Sequence, residues 1–181
     1  MKLTIRKSVF ETNSSSTHAI CIAKKNIENY PESLTFKIGH FGWEKAYYCF
    51  PEEKASYLYS ALAEYYLYDD DAGKKNFVNK IEEINKILNK KGIDCIFEHL
   101  DDLYKDGYEA LWRFDGGIDH VYELADFIED VTNTESKLLR YLFSYDSIVI
   151  TGNDNGENTY VDEHTVNSYV NNPVEVYYKG N

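Results

Sequence analysis

Stretches in which hydrophobic and polar residues alternate occur near both ends of the sequence and predict β-strands there. The first three are "KLTIRKSVF" at 2–10, "HAICIA" at 18–23 and "SLTFKIGHF" at 33–41, and we expect these early strands to pair antiparallel. Later in the chain, "DSIVITGNDNG" at 146–156 predicts a strand that runs into a tight turn, and "VEVYYKG" at 174–180 predicts an edge strand.

Between these strands, hydrophobic residues recur at intervals of three and four, which predicts helices. The apolar residues of four predicted helices span 55–66, 77–88, 121–131 and 138–142. Pro51 suits the first turn of a helix, and Gly92 suits the position just after one. Asp119 and Thr134 stand where the N-caps of the third and fourth helices belong. "IDCIF" at 93–97 predicts a buried strand or a short helical start.

Strands at both ends with helices between them are typical of the α+β class. We therefore predict one domain over residues 1–181, in which a small mixed or antiparallel sheet of N- and C-terminal strands packs against several helices. A chain of 181 residues is long enough to bury a core. The hydrophobic share of 43%, with 17 tyrosines and 9 phenylalanines, excludes wholesale disorder.

The composition favours a soluble cytoplasmic protein. No apolar stretch approaches the roughly 18 residues that a membrane span requires, and the first residues lack the apolar core and cleavage site of a signal peptide. Cys21, Cys49 and Cys95 are far apart and lie among apolar neighbours. We therefore expect buried thiols rather than a disulfide framework or a zinc site.

The net charge of −12 is concentrated in one segment. Residues 94–135 contain 13 acidic and two basic residues, a net charge of −11, whereas residues 1–50 carry +3. Such a segment is either a solvated helical surface or a face that mimics nucleic acid or attracts a basic partner. No basic patch repeats along the chain, which argues against direct binding of DNA or RNA.

Three polar clusters are candidates for a functional site: "NSSSTH" at 13–18, "DGGIDH" at 115–120 and "ITGNDNG" at 150–156. Hydroxyls, backbone N–H groups and a helix N-terminus suit a phosphate or another anion. The candidate ligand-binding residues are Asn13, Ser14, Ser15, Ser16, Thr17, Asp119, Asn153 and Asn155. The candidate catalytic residues are His18 and His120 as acid and base and Asp154 as the group that orients one of them.

Each cluster also has a purely structural interpretation. The serine run would form Asx and ST turns, His18 would begin a strand with a half-buried ring, Asp119 would cap a helix, and 153–155 would be a hairpin turn. Phosphate-loop and dinucleotide-binding patterns are absent from the sequence, as are HExxH, CxxC and EF-hand spacings. The sequence therefore predicts neither a cofactor nor a metal site.

The stretch "RKSVFETNSSSTHAI" at 6–20 resembles the N-terminus of a loosely defined group of small phage- and prophage-type proteins without an assigned function. "GIDH" at 117–120 and "TGNDN" at 151–155 are similar to features further along that group. The resemblance implies an accessory protein of a mobile element, which would work in the cytoplasm of the host cell. Such proteins often act against host defence systems. The group offers no catalytic residues to carry over.

Two functions from different classes follow. The first is a site directed at a nucleotide or another phosphate-bearing ligand, for binding or for phosphoester chemistry, and it requires the three clusters to converge in space. The second is an anti-defence inhibitor of the anti-CRISPR type, which binds a basic host-defence protein through residues 94–135. In that case, Tyr104, Tyr108, Trp112 and Tyr122 would anchor the interface among the charges.

Overall fold

The computed structural model describes residues 16–42, 45–68, 71–118, 121–153, 166, 168 and 174–179. The predicted strand at 2–10 lies outside the described residues.

The main sheet has four strands in the order β4–β7–β1–β8, and every neighbouring pair is antiparallel. The strands are β1 (Ser16–Ala23), β4 (Ala46–Tyr48), β7 (Ile148–Asn153) and β8 (Val174–Lys179). The strands predicted from "HAICIA", "DSIVITGNDNG" and "VEVYYKG" are therefore confirmed, as is the α+β class. Among the described strands of this sheet, β8 is an edge strand, as predicted.

Both faces of β1 are covered, which explains why all eight of its residues are buried. Ile20 and Ile22 belong to the principal hydrophobic core, which the helices share. Ala19 and Cys21 alternate with them and pack on the opposite face of the sheet in a second, smaller cluster. A hydrophobic run rather than a strict alternation is the pattern expected of a strand buried on both sides.

The expectation that the early strands pair with one another is wrong for the two that the structure describes, at 18–23 and 33–41, while the pairing of 2–10 lies outside the described residues. β2 (Ser33–Phe36) pairs in parallel with β5 (Asp94–Phe97), and β3 (His40–Phe41) pairs in parallel with β6 (Gly117–Ile118). Alternation identifies a strand but not its partner, and parallel partners need a long connection, which helices supply here.

Six α-helices and one 3-10 turn are described. Their bounds are α1 (Pro51–Leu67), α2 (Asp71–Asn89), α3 (Leu100–Asp106), α4 (Tyr108–Arg113), the 3-10 turn (Val121–Leu124), α5 (Ala125–Asn133) and α6 (Glu135–Phe143). The central helix is α1, in which ten of 17 residues are buried. Within the described part of the chain, no helix is long and apolar enough to cross a membrane.

The predicted helix boundaries hold in part. Helix α1 begins at Pro51, and the Glu53 side chain accepts hydrogen bonds from the backbone N–H groups of Cys49 and Phe50 at its N-terminus. Thr134 is the N-cap residue of α6, although its side chain makes no cap hydrogen bond. The predicted N-cap Asp119 lies outside the described residues. Cys21 is buried as predicted, whereas Cys49 and Cys95 are only half-buried.

The ammonium group of Lys54, on the core side of α1, is wholly buried. Its Nζ donates hydrogen bonds to the carbonyl oxygens of Ser144 and Ser147, at 2.6 and 3.0 Å. Burial lowers the pKa of Lys54 from 10.5 to about 8, because removing the charge from water disfavours the protonated form. The nearby Cys49 and Glu53 oppose this shift.

Lys137 on α6 links three elements of the fold. Its Nζ lies 2.9 Å from a carboxylate oxygen of Asp130 on α5 and 2.8 Å from one of Glu175 on β8. It also donates a hydrogen bond to the hydroxyl of Tyr177, and that hydroxyl contacts the same two carboxylates. The pKa of both carboxyl groups is lowered, mainly by the hydrogen bond from Lys137.

Candidate functional site

The first and third polar clusters meet at one end of the main sheet. In the antiparallel pairing of β1 with β7, Ser16 lies opposite Asn153 and Thr17 lies opposite Gly152. Five more candidate residues of these clusters lie outside the described residues: Asn13, Ser14, Ser15, Asp154 and Asn155.

The chain around the second cluster approaches the same region through β3. Because His40 pairs with Gly117 and Phe41 with Ile118, the start of that cluster lies beside β3. The next residue after β3, Gly42, has a φ of +105°, and a Cβ built there would lie 2.7 Å from the Ser16 Cβ. Asp119 and His120 lie outside the described residues.

The buried side chain of His18 lies between those of Ser16 and Tyr57, and we call these three residues the polar series. Its Nε2 lies 3.0 Å from the Ser16 Oγ, and its Nδ1 lies 2.9 Å from the Tyr57 hydroxyl on α1. His18 is 0% exposed, and the sequence interpretation of a half-buried ring understates its burial. Ser16 and Thr17 are buried as well.

The chemistry available to this series is limited by Tyr57. To take a proton from Ser16, Nε2 must be unprotonated, so that Nδ1–H would donate to the Tyr57 oxygen. Burial raises the pKa of Tyr57 well above its ordinary value, and the phenol therefore stays neutral. A neutral phenol stabilises an imidazolium less than the carboxylate of a serine-hydrolase triad does. The series is better suited to binding than to nucleophilic catalysis.

A pocket of about 290 Å³ opens elsewhere on the surface, beside β3 and β6. Its lining comes from four parts of the chain and consists of His40, Glu64, Tyr108, Trp112, Asp115, Gly116, Gly117 and Ile118. The second polar cluster thus supplies residues 115–118 of the wall. Among the described lining residues, Glu64 and Asp115 carry carboxylates, His40 carries an imidazole, and none is a lysine or an arginine.

Two adjacent glycines in the lining of this pocket, Gly116 and Gly117, pack closely against neighbouring side chains. A Cβ at Gly117 would lie 3.3 Å from the Glu64 Oε2, and one at Gly116 would lie 2.1 Å from the Ile38 Cγ2. The backbone N–H of Gly117 donates to the carbonyl of Gly39, which fixes this stretch against the chain before β3. Gly117 therefore allows the backbone to approach Glu64 on α1, and Gly116 allows it to pack against Ile38 and Leu111.

A hydrogen bond connects two residues that line the pocket, Tyr108 and Glu64. The Tyr108 hydroxyl on α4 donates to the Glu64 Oε1 on α1 at 2.8 Å. Burial and then this hydrogen bond raise the pKa of Tyr108 to about 12, so that the phenol is neutral and remains a donor. Glu64 and Asp115 are the two carboxylate residues that line the pocket.

Five aromatic side chains continue from the pocket across the surface, and we call them the aromatic face: Tyr65, Tyr68, Tyr108, Trp112 and Tyr122. The ring centroids of consecutive contacts lie 5.1 to 6.5 Å apart, from Trp112 through Tyr108 and Tyr68 to Tyr122 and Tyr65. Trp112 is 70% exposed, and Tyr68 and Tyr122 are also exposed.

Part of the acidic segment is neutralised within the fold. Five of its carboxylates form ion pairs with a lysine or arginine side chain: Glu98, Asp106, Glu129, Asp130 and Glu135. Two of the acidic residues that flank the aromatic rings along the chain are Glu109 on α4 and Glu123 on the 3-10 turn. The sequence therefore overstates the area over which the negative charge is concentrated.

Sequence reasoning named Tyr108, Trp112 and Tyr122 but missed Glu64, Tyr65 and Tyr68. Glu64 and Tyr65 lie in the last turn of α1 and Tyr68 is its C-cap residue, and the helical spacing gave no sign that this end contributes to a surface site. Among the described residues, no group of three or more His, Cys, Asp or Glu side chains could hold a metal ion.

Comparisons with protein-family models, with curated proteins and with solved structures find no match to this chain.

Proposed function

We propose that this protein is an inhibitor that acts by binding, and that it engages a basic protein partner through the aromatic face and the acidic residues around it. The observation that carries the proposal is the continuity of the aromatic face, three of whose rings are exposed. Monomeric proteins rarely expose contiguous apolar patches of this kind without an interaction.

The composition of the face supports protein binding. Tyrosine and tryptophan are the residues that most often dominate the binding energy of protein interfaces, because they bury a large area at a small cost in side-chain entropy. The rings pack edge-to-face, with interplanar angles of 76 to 89° along the series from Trp112 to Tyr122. Rings that are already packed against one another lose little side-chain entropy when a partner covers them.

The charge of the protein supports a basic partner. The net charge is −12, and residues 94–135 contribute most of it. Acidic groups around an aromatic centre accelerate association with a positively charged surface and disfavour acidic competitors. The resemblance of residues 6–20 to phage- and prophage-type proteins supports the biological role, which is counter-defence of the anti-CRISPR type. A nuclease with a basic nucleic-acid channel is the class of partner that this face fits.

Affinity capture with a matched pair of variants tests the proposal. The full-length protein, Trp112→Ala and Tyr145→Ala are compared as baits in a lysate of the host. Tyr145 is the control, because its ring is as exposed as that of Trp112 but lies outside the aromatic face. We expect a basic protein that binds the wild type and Tyr145→Ala but is lost with Trp112→Ala.

The purified partner then allows a quantitative test. Its affinity for the wild type should fall at least tenfold between about 50 and 300 mM salt, since charge pairs outside a dry interface are screened. Wild-type affinity that does not change with salt, or a partner that both variants retain, would show that this face is not the interface.

The second candidate function is the binding of a nucleotide or another phosphate-bearing ligand near Ser16 and His18. The pairing of Ser16 with Asn153 supports it, because two of the three polar clusters then share one end of the sheet. Calorimetric titration with inorganic phosphate and with a nucleoside monophosphate tests it, using Ser16→Ala as the comparison. Binding that Ser16→Ala weakens supports this function, and the absence of heat with either probe contradicts it.

A further inference from the structure

We infer that the pocket lined by Glu64, Tyr108, Trp112 and Asp115 accepts an arginine side chain of the basic partner. This inference rests on the proposed function, because the pocket adjoins the aromatic face and shares Tyr108 and Trp112 with it. It specifies which chemical group of the partner is recognised at that end of the interface.

The size of the pocket suits a side chain. Sites for cofactors and drug-sized ligands enclose about 300 to 1,000 Å³, and this pocket, at about 290 Å³, lies just below that range. A single long side chain of a docked protein can therefore enter it.

The charge of the pocket selects a cation. Glu64 and Asp115 carry carboxylates on the wall, and they approach from different elements, α1 and the turn after α4. The Tyr108 hydroxyl donates to the Glu64 Oε1 at 2.8 Å, which orients that carboxylate on the wall of the pocket. A phosphate or a carboxylate ligand would be repelled by this arrangement.

The aromatic wall selects arginine among cations. The rings of Tyr108 and Trp112 stand at 76° to each other with their centroids 6.2 Å apart, and Trp112 is largely exposed. A planar guanidinium can stack on an indole ring while its N–H groups donate to carboxylates in the plane of the group. The ammonium of lysine is more strongly hydrated and has no plane to stack, and we expect it to bind less tightly.

The turn that carries Asp115 is fixed before any ligand arrives. Asp115 has a φ of 51°, its backbone N–H donates to the carbonyl of Trp112, and that of Gly116 donates to the carbonyl of Leu111. Asp115 thereby lies on a short, hydrogen-bonded turn rather than on a long free loop, and it lines the same pocket as Trp112. A preformed site loses less entropy when it binds.

Nuclear magnetic resonance with short peptides tests this inference on the full-length protein. The probes are three blocked tripeptides, Gly-Xaa-Gly, in which Xaa is arginine, lysine or citrulline, the neutral isostere of arginine. The readout is the indole N–H signal of Trp112, which is assigned by its loss in Trp112→Phe. We expect a saturable shift with the arginine peptide at a Kd of about 1 mM, several-fold weaker binding of lysine, and at least tenfold weaker binding of citrulline.

Charge-neutralising variants provide the matched control. Glu64→Gln and Asp115→Asn preserve side-chain shape, and each should weaken arginine binding about three- to tenfold. Glu82→Gln removes the same charge from an exposed position on α2, outside the pocket lining, and should leave the Kd unchanged. Equal binding of citrulline, or an unchanged Kd in both pocket variants, would overturn the inference.

The two proposals can fail separately. A partner that is lost with Trp112→Ala but binds Asp115→Asn and Glu64→Gln as tightly as the wild type would support the aromatic face and overturn the arginine pocket. Arginine binding by the pocket without any partner that depends on Trp112 would instead overturn the proposed function, together with the claim that a partner supplies the arginine.

Discussion

Replacing Lys54 by methionine should change how the stability of the protein depends on pH. In the folded state the pKa of Lys54 is about 8, against the ordinary lysine value of 10.5. Between these two values the unfolded state binds more protons than the folded state, so the free energy of unfolding rises with pH. Below pH 8 the lysine is protonated in both states, and the cost of burying its charge is fully present.

The size of the effect follows from the shift in pKa. A full displacement from 10.5 to about 8 corresponds to about 3 kcal/mol, at about 1.4 kcal/mol per pH unit. At pH 9 only part of this free-energy cost has been removed by deprotonation, so the free energy of unfolding of the wild type should be about 1 kcal/mol higher than at pH 7. Lys54→Met lacks the titrating group and should lack this gain.

Urea unfolding at pH 7, 8 and 9 measures the effect. The comparison of wild type with variant is essential, because burial raises the pKa of Cys21 to about 12 and that group lowers stability as the pH rises above about 9. This contribution cancels in the difference. Lys37→Met is the control, since the Lys37 side chain is 60% exposed and should not alter the profile.

Absolute stability is a poorer readout than the pH dependence. The methionine variant leaves the carbonyl oxygens of Ser144 and Ser147 without the donors that Lys54 provides, which costs about 1 to 3 kcal/mol. This loss does not depend on pH. If the wild type and Lys54→Met gave parallel profiles from pH 7 to 9, the reasoning about the buried charge would be refuted.

Two further predictions concern the backbone and the ion pairs. Gly42→Ala should lower the free energy of unfolding by about 2 to 3 kcal/mol in urea unfolding, because its φ is +105° and a Cβ would lie 2.8 Å from the His18 Nε2. Gly92→Ala is the control. Gly92 has a φ of +78° and open space around it, so this substitution should cost only about 1 kcal/mol in the same assay. A larger loss in Gly92→Ala than in Gly42→Ala would contradict this account. Lys137→Met should destabilise the protein at pH 7. Because the hydrogen bond from Lys137 lowers the pKa of Glu175, the difference from the wild type should be fully present above 4.5, the ordinary pKa of a glutamate, and should shrink as that carboxyl group becomes protonated at lower pH. A difference that stays constant from pH 7 to 3 in thermal unfolding would count against the ion pair.

The strands and helices could be predicted from the sequence where the local pattern has one dominant cause. The start of α1 at Pro51 and the buried run of β1 follow from backbone chemistry and from hydrophobic spacing. The partners of β2 and β3 could not be predicted, because β5 and β6 lie far along the chain and alternation does not indicate which strand is the partner.

The candidate site was predictable only in fragments. Aromatic residues within the acidic segment indicated a binding surface, but Glu64 joins Tyr108 only because α1 and α4 pack together. The environment of Lys54 was also beyond the sequence, since its acceptors are carbonyl groups that follow α6. A lysine on a helix ordinarily predicts a solvated position.

The place of β1 in the sheet determines when the protein can complete its fold during translation. Its two neighbours, β7 and β8, are encoded late in the chain, and β8 begins only at Val174. At a synthesis rate of about 5 to 20 residues per second, the nascent chain waits on the order of 10 to 30 s between β1 and β8. Helices α1 and α2 can form on the ribosome in that interval through local contacts. The apolar residues of β1, Ile20 and Ile22 among them, therefore lack the neighbouring strands β7 and β8 until those segments have been synthesised.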